Sequence, residues 1–265
     1  MMRYFVSLFT DMSDMRRRYA LRLAGRFAVL VITVLFCILD PAQFEVLHGW
    51  NFFRRFSWLH VLWGIWVIDM AAQILPLRTR ISLGSQKMWH MRFRPIREMF
   101  NERGKLVAEG VAKLKKHIVD TTRSALWVLI VWTGLVAVIG ALAFAGVMTD
   151  VALFVTAVVF YVCDLICVLI WCPFRLIMRN RCCTTCRIFN WDYVMICTPL
   201  MVLTGPLPRS ACLVSIVLLL RWEITYRRRK ERFFESANGA LRCSQCQEQL
   251  CKYKRALSRK PTIHS

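Results

Sequence analysis

The hydrophobic and polar positions of this chain fall in long blocks. Runs of about 20 apolar residues, the length that crosses a bilayer as a helix, alternate with segments rich in arginine and lysine. This pattern predicts six membrane-spanning helices, at residues 21–39, 56–77, 125–149, 151–174, 188–207 and 210–220. The sixth run is short and is extended by Arg221 and Trp222. The fold class that follows is an all-α, polytopic membrane helix bundle of about six spans.

The blocks also divide the chain into five parts. Residues 1–77 hold a basic N-terminus and two spans, and residues 78–124 form a cytoplasmic segment with the periodicity of an amphipathic helix. Two further spans occupy residues 125–178. A cysteine knuckle and a membrane hairpin follow in 179–226, and a basic, Cys-rich cytoplasmic tail completes the chain in 227–265.

Composition and charge support a membrane class and give it an orientation. Hydrophobic residues make up 57% of the 265 residues, and the formal net charge is +21. On the six-span topology, 34 of the 37 basic residues fall on one side, which places both termini in the cytoplasm of a cell membrane. Because topology accounts for the positive charge, a nucleic-acid partner is not favoured. Anionic lipid head groups are the expected partners of the basic segments.

Charged side chains inside the apolar runs are the first candidate functional residues. Arg22 and Arg26 lie near the start of the first span, where long cationic side chains are expected to extend to the interface. Asp69 and Asp164 lie well inside their spans, at similar depth, where a carboxylate is costly and hints at function. Two interpretations stay open: a proton or cation path, or carboxylates that are protonated or paired with an inner arginine such as Arg78 or Arg175.

The cysteines are the second candidate site. Among the 12 cysteines, two C-x2-C pairs flank the last hairpin, which returns both to the cytoplasmic side, where thiols bind metals more often than they form disulfides. We predict one four-thiolate metal site, zinc first and an iron–sulfur cluster second. Its expected ligands are Cys183, Cys186, Cys243 and Cys246, with Cys182 and Cys251 as spare ligands. Unliganded thiols are the alternative.

One family resemblance is met at these residues. The run CCTTCRIFNWD at 182–192, the Arg221-Trp222-Glu223 triplet and the C-terminal cysteine cluster resemble a family of bacterial multi-pass membrane proteins. The likeness covers roughly residues 179–255. It implies an integral membrane protein with a cytoplasmic cysteine cluster, and it implies no activity.

Three functional hypotheses follow. The first is a non-enzymatic scaffold or accessory subunit, whose metal knuckle orders the C-terminal region or docks a protein partner at the cytoplasmic face. The second is a membrane redox protein or enzyme that uses the cysteine cluster. The third is a small cation or proton transporter that uses Asp69 and Asp164. The sequence shows no phosphate loop, nucleophile elbow or dinucleotide fingerprint, so the first hypothesis is preferred.

Overall fold

The computed structural model describes residues 14–75, 85–88, 93–101, 106–178 and 183–242. In this part of the chain the fold is all-helical, as predicted, and β-structure is limited to isolated bridges. The α-helices are α1 (Asp14–Leu39), α2 (Asn51–Arg54), α3 (Trp58–Ile74), α4 (Ser85–Met88), α5 (Ala108–Phe144), α6 (Asp150–Leu169), α7 (Phe174–Met178), α8 (Asp192–Cys197) and α9 (Pro206–Arg228). Short 3-10 helices join them, at Pro41–Leu47, Arg97–Met99, Cys183–Thr185, Arg187–Asn190, Thr198–Val202, Lys230–Phe233 and Gly239–Leu241.

Among the described residues, three helices are long and apolar enough to cross a membrane: residues Arg16–Leu39 of α1, α5 and α6. Only 11% of the most apolar window of α1 and of α5 is buried, against 44% for α6. An apolar helix with so much uncovered surface suits lipid better than water. α3 and the stretch Asp192–Val202 are apolar but shorter. The fold is consistent with a membrane protein, and the count of six spans stays a prediction.

Helix α5 joins two segments that the sequence analysis treated separately. The end of the predicted cytoplasmic segment, from Ala108, and most of the third predicted span form one uninterrupted helix of 37 residues, about 55 Å long at 1.5 Å per residue. A bilayer core is about 30 Å thick, so the basic N-terminal part of α5 extends beyond it. Gly146, at a positive φ of 74°, then forms the turn that leads to α6.

Helix α6 is the central helix of the bundle. Its buried side chains include Phe154, Val158 and Tyr161, and it packs along α1 on one side and against α8 on another. Helix α9 packs on α3, where the indole N–H of Trp63 donates to the hydroxyl of Ser210 at 2.9 Å. The core therefore brings the middle of α1, α3 and α6 together with the short helix α8.

The fifth predicted span, at 188–207, is not a continuous helix. It consists of Arg187–Asn190, α8 and Thr198–Val202 in succession. Pro199 has no N–H to donate to the carbonyl four residues earlier, and the hydroxyl of Thr198 instead donates to that carbonyl, on Met195, at 2.7 Å. The break therefore has a local cause, and the backbone group that it frees is satisfied.

A close backbone approach fixes where α9 begins. A Cβ built on Gly205 would lie 2.1 Å from the carbonyl oxygen of Leu47, so only glycine fits beside the 3-10 helix Pro41–Leu47. Because that 3-10 helix follows α1, the start of α9 lies at the same end of the bundle as the end of α1. The chain from Asp192 to Gly205 therefore runs from α8 to the end of the bundle where α1 ends and α9 begins.

Candidate ionisable site in the helix bundle

The side chain of Arg26 is the centre of the candidate site. It does not extend to an interface, as the sequence suggested, but is 92% buried between α1 and α6. Its Nη1 donates to Oδ2 of Asp164 at 2.7 Å and to the carbonyl oxygen of Tyr161 at 2.6 Å. The guanidinium carbon lies 3.8 Å from the centroid of the Tyr161 ring. The prediction was wrong because the nearest partners of Arg26 are on α6, not at the interface.

The same guanidinium reaches a second carboxylate. Nη2 of Arg26 lies 3.8 Å from Oδ2 of Asp69 on α3, and this carboxylate also accepts a hydrogen bond from the Tyr193 hydroxyl on α8. Asp69 and Asp164, which the sequence placed at similar depth, therefore meet at one arginine. Of the partners that the sequence suggested, Arg78 lies outside the described residues, and the arginine in contact is Arg26 rather than Arg175.

A third carboxylate, Asp192, belongs to the same cluster. It opens α8, lies within electrostatic reach of Asp164, Arg26 and Asp69, and one of its oxygens accepts the Tyr193 backbone N–H at 2.9 Å. Within the described part of the chain, one guanidinium thus contacts two carboxylates and has a third within electrostatic reach. Sequence reasoning quoted Asp192 only as part of a motif. The signal that it missed was an acidic residue at the edge of an apolar run.

A second arginine forms a separate network near the C-terminal end of α9. Nη2 of Arg187 donates to Oε2 of Glu223 at 2.6 Å, and the Trp191 indole N–H donates to Oε1 at 3.0 Å. The Arg187 guanidinium also lies over the Tyr226 ring, 3.9 Å from its centroid. Burial alone would raise the pKa of Glu223, but the two hydrogen bonds and the charge of Arg187 outweigh it and lower that pKa.

This second network joins the two segments on which the family resemblance was based. Arg187 and Trp191 belong to the run at 182–192, and Glu223 belongs to the Arg221-Trp222-Glu223 triplet. Sequence reasoning did not pair them. The available signal was the pair of charges at the two ends of the predicted hairpin, Arg187 before it and Glu223 after it.

The predicted thiolate site is described only in part. Cys182, Cys243, Cys246 and Cys251 lie outside the described residues, so the four-thiolate set stays a prediction. Cys183 and Cys186 line a cavity of about 230 Å³. Among the residues that the structure describes, no group of three His, Cys, Asp or Glu side chains converges as metal ligands do.

Three further cysteines line this cavity: Cys163 and Cys167 of α6, and Cys172 from the connection to α7. The thiols of Cys167 and Cys172 are hydrogen-bonded to each other. Burial raises the pKa of the Cys186 thiol to about 11, against the opposing charge of Lys87. Sequence reasoning did not connect these three cysteines with the predicted metal ligands.

Lys87 lies between the Cys183 and Cys186 segment and the residues that follow α9. Its side chain is 99% buried, and its Nζ donates to the carbonyl oxygen of Cys186 at 3.1 Å. The neighbouring Met88 carbonyl accepts from Nη1 of Arg232 at 3.4 Å. The short helix α4 therefore lies between Cys186 and the segment that follows α9.

Comparisons of the chain with protein-family models, with curated proteins and with solved structures found no match. Functional inference therefore starts from the geometry of the Arg26 cluster and of the cysteine-lined cavity.

Proposed function

We propose that this chain is a polytopic membrane protein that binds and moves a proton or a small monovalent cation at the Arg26 cluster. The observation that carries the proposal is the charge balance of the described residues there: one guanidinium pairs with Asp69 and Asp164 and has Asp192 within electrostatic reach. Among the functional hypotheses from the sequence, this supports the transporter over a purely structural role for the aspartates.

The argument rests on the cost of unbalanced charge away from water. An ionised group in a low-dielectric interior costs several kcal/mol unless it is paired, and Arg26 can neutralise only one of the carboxylates. The others are neutral only if each holds a proton, or if a cation lies beside them. An ion pair that only joins two helices needs one carboxylate for one arginine. The surplus carboxylates are therefore the binding capacity of the site.

The proposed topology has six crossings with both termini in the cytoplasm. α1, α3, α5, α6, the broken segment Arg187–Val202 and α9 would be the crossings. Broken helices at membrane depth are tolerated where they line a cavity or are buried in protein, and ion-coupled transporters use them to build ion sites. The start of α8, which carries Asp192 and Tyr193, would supply this feature here.

Ion flux into proteoliposomes tests the proposal. Wild-type protein is expected to carry protons or Na⁺ down an imposed gradient, and Asp69→Asn, Asp164→Asn and Asp192→Asn are each expected to lower the rate at least tenfold. Asp150→Asn is the matched control, because Asp150 lies on the same helix as Asp164 but is 44% exposed and close to His48. Flux that is absent, or equal in all folded variants, would leave the aspartates a structural role only.

A second candidate, the metal-bearing scaffold, is supported by the position of Lys87. Because Lys87 contacts the Cys186 carbonyl and Met88 contacts Arg232, the chain beyond α9 returns to the end of the bundle that carries Cys183 and Cys186. This arrangement suits a zinc site, or alternatively an iron–sulfur cluster, that adds Cys243 and Cys246. Such a site would order the tail for a protein partner, next to anionic lipid head groups.

Metal analysis of the purified protein tests the second candidate. The metal-bearing scaffold is supported if the wild type holds one equivalent of zinc and the Cys243→Ser/Cys246→Ser variant holds less than half an equivalent. An iron content with visible absorbance supports the cluster instead. Less than half an equivalent of either metal in the wild type would exclude the scaffold site.

A further inference from the structure

Five cysteines of the described residues line one cavity, although they come from three separate parts of the chain. Cys163 and Cys167 lie on α6, Cys172 follows α6, and Cys183 and Cys186 precede the broken segment. Eight cysteines lie in the part of the chain for which burial is described, and none of them is in a disulfide. More than half of them therefore meet at a cavity of about 230 Å³.

The rest of the cavity wall sets the chemistry that it favours. Asp164 and Asp192 contribute the carboxylates, while Trp132, Phe160 and Phe174 are among the aromatic side chains. Buried cysteines commonly pack as small apolar residues. Packing alone, however, does not require the Cys167 and Cys172 thiols to contact each other beside two carboxylates. Adjacent sulfurs with nearby negative charge and an apolar wall form a soft, anionic environment.

We propose that this cavity binds a soft monovalent metal ion, with Cu(I) as its natural representative, through the sulfurs of Cys167 and Cys172. Soft thiolate ligands select Cu(I), and a two-coordinate ion needs only the one adjacent pair. The cavity has no three-ligand group within its described residues, which suits Cu(I) better than the tetrahedral preference of zinc. Cys163, Cys183 and Cys186 line the same cavity.

The binding step balances without electron transfer. Two S–H bonds break, two sulfur–metal bonds form, and two protons leave the thiols. The resulting complex carries one negative charge. Arg26 is already paired with Asp164, so the cationic side chain that offsets this charge is Lys87, whose Nζ donates to the carbonyl of the cavity residue Cys186. The two proposals share Asp164 and Asp192 as cavity wall, but the metal ligands are sulfurs, so cysteine variants test this site and aspartate variants test the flux.

Cu(I) titration of the full-length protein in detergent, anaerobically and against a Cu(I)-specific chelator, tests the inference. Cys167→Ser/Cys172→Ser is expected to lose one equivalent, with at least a hundredfold weaker binding at that site. Cys197→Ser/Cys212→Ser is the matched control, because these thiols are also hydrogen-bonded to each other and lie in the core, away from the cavity wall. Cys243→Ser/Cys246→Ser removes the tail thiols and is expected to retain the equivalent.

Thiol protection gives a second measurement that needs no variant. One equivalent of Cu(I) is expected to protect Cys167 and Cys172 of the wild type from alkylation after unfolding, as read by peptide mass spectrometry. One equivalent of Zn(II) is expected to leave them reactive. Three results would each overturn the inference. The Cys167/Cys172 variant binds Cu(I) as the wild type does, or the loss of Cu(I) binding is confined to the Cys243/Cys246 variant. In the third, protection from alkylation is confined to the tail cysteines.

Discussion

Two arginines join helices in this protein, and they differ in how their charges balance. Within the described residues, Arg187 meets a single carboxylate, Glu223, whose second oxygen is used by an indole N–H. Arg26 meets Asp164 directly, Asp69 at 3.8 Å, and has Asp192 within electrostatic reach. The first contact is complete in charge and in hydrogen bonds. The second has more negative charge than its arginine can neutralise.

Burial does not explain this difference. The arginine side chains are 9% and 10% exposed, and the carboxylates in direct contact with them, Asp69, Asp164 and Glu223, are between 18% and 25% exposed. The two sites therefore differ in the number of carboxylates near each arginine, although the paired side chains are buried to a similar extent. A balanced pair holds two segments together, whereas an unbalanced cluster needs a proton or a cation to complete it. Charge balance, more than burial, separates a structural ion pair from a candidate ion site.

Removal of Arg26 is expected to give the largest effect. Arg26→Met leaves the carboxylates of the cluster without their cation, and breaking a buried pair in this way costs about 3–5 kcal/mol of unfolding free energy. Thermal unfolding in detergent measures it, with the exposed Arg209→Met as control. Adding Asp164→Asn to Arg26→Met is expected to recover part of the loss. An unchanged unfolding temperature for Arg26→Met would contradict the central position of this arginine.

Removal of Arg187 is expected to have a smaller effect. Arg187→Met is expected to cost about 1–3 kcal/mol, because Glu223 keeps its hydrogen bond from Trp191 and is one-quarter exposed. The same unfolding assay measures it, with Glu223→Gln as the partner variant. A loss equal to that of Arg26→Met would show that charge balance does not distinguish the two contacts.

The sequence was sufficient for the helical class and for the positions of α1, α6 and the apolar part of α5, because long apolar runs determine both. It also placed Asp69 and Asp164 at similar depth, since residue spacing along a helix measures depth directly. It did not identify Arg26 as their partner. Arg26 and Asp164 are 138 positions apart in the sequence, and no local sequence pattern predicts which helices pack against each other.

The break in the fifth predicted span was also missed, although its cause is local. Pro199 was visible in the sequence, but an apolar run of sufficient length was interpreted as one helix. Asp192, at the start of α8, was missed for a different reason: it lies near the edge of the apolar run and was quoted only as part of a motif. Apolar length predicts that a segment is buried or in lipid, whereas proline decides whether it is one helix.

Neutralising Asp192 is expected to change stability in the opposite direction from the arginine variants. At a pH high enough to ionise Asp192, Asp192→Asn removes surplus negative charge while its amide oxygen can still accept the Tyr193 N–H. The unfolding free energy is expected to rise by about 1 kcal/mol, the scale of one screened like-charge interaction, while flux falls. Glu223→Gln is the control, because it removes a balanced charge and is expected to destabilise. Destabilisation by Asp192→Asn would mean that its charge is already matched.

The pH dependence of the balanced pair gives the smallest expected effect. The pKa of Glu223 is lowered in the folded protein, so its contribution to stability is fully present above the usual glutamate pKa of about 4.3. That contribution is lost as the pH falls through the lower folded-state pKa. Unfolding curves from about pH 7 to about pH 3 should therefore converge for the wild type and Glu223→Gln at the acidic end. Because both proteins keep Asp69, Asp164 and Asp192, their difference isolates the pair from the cluster. A difference independent of pH would contradict an ionised Glu223 in that pair.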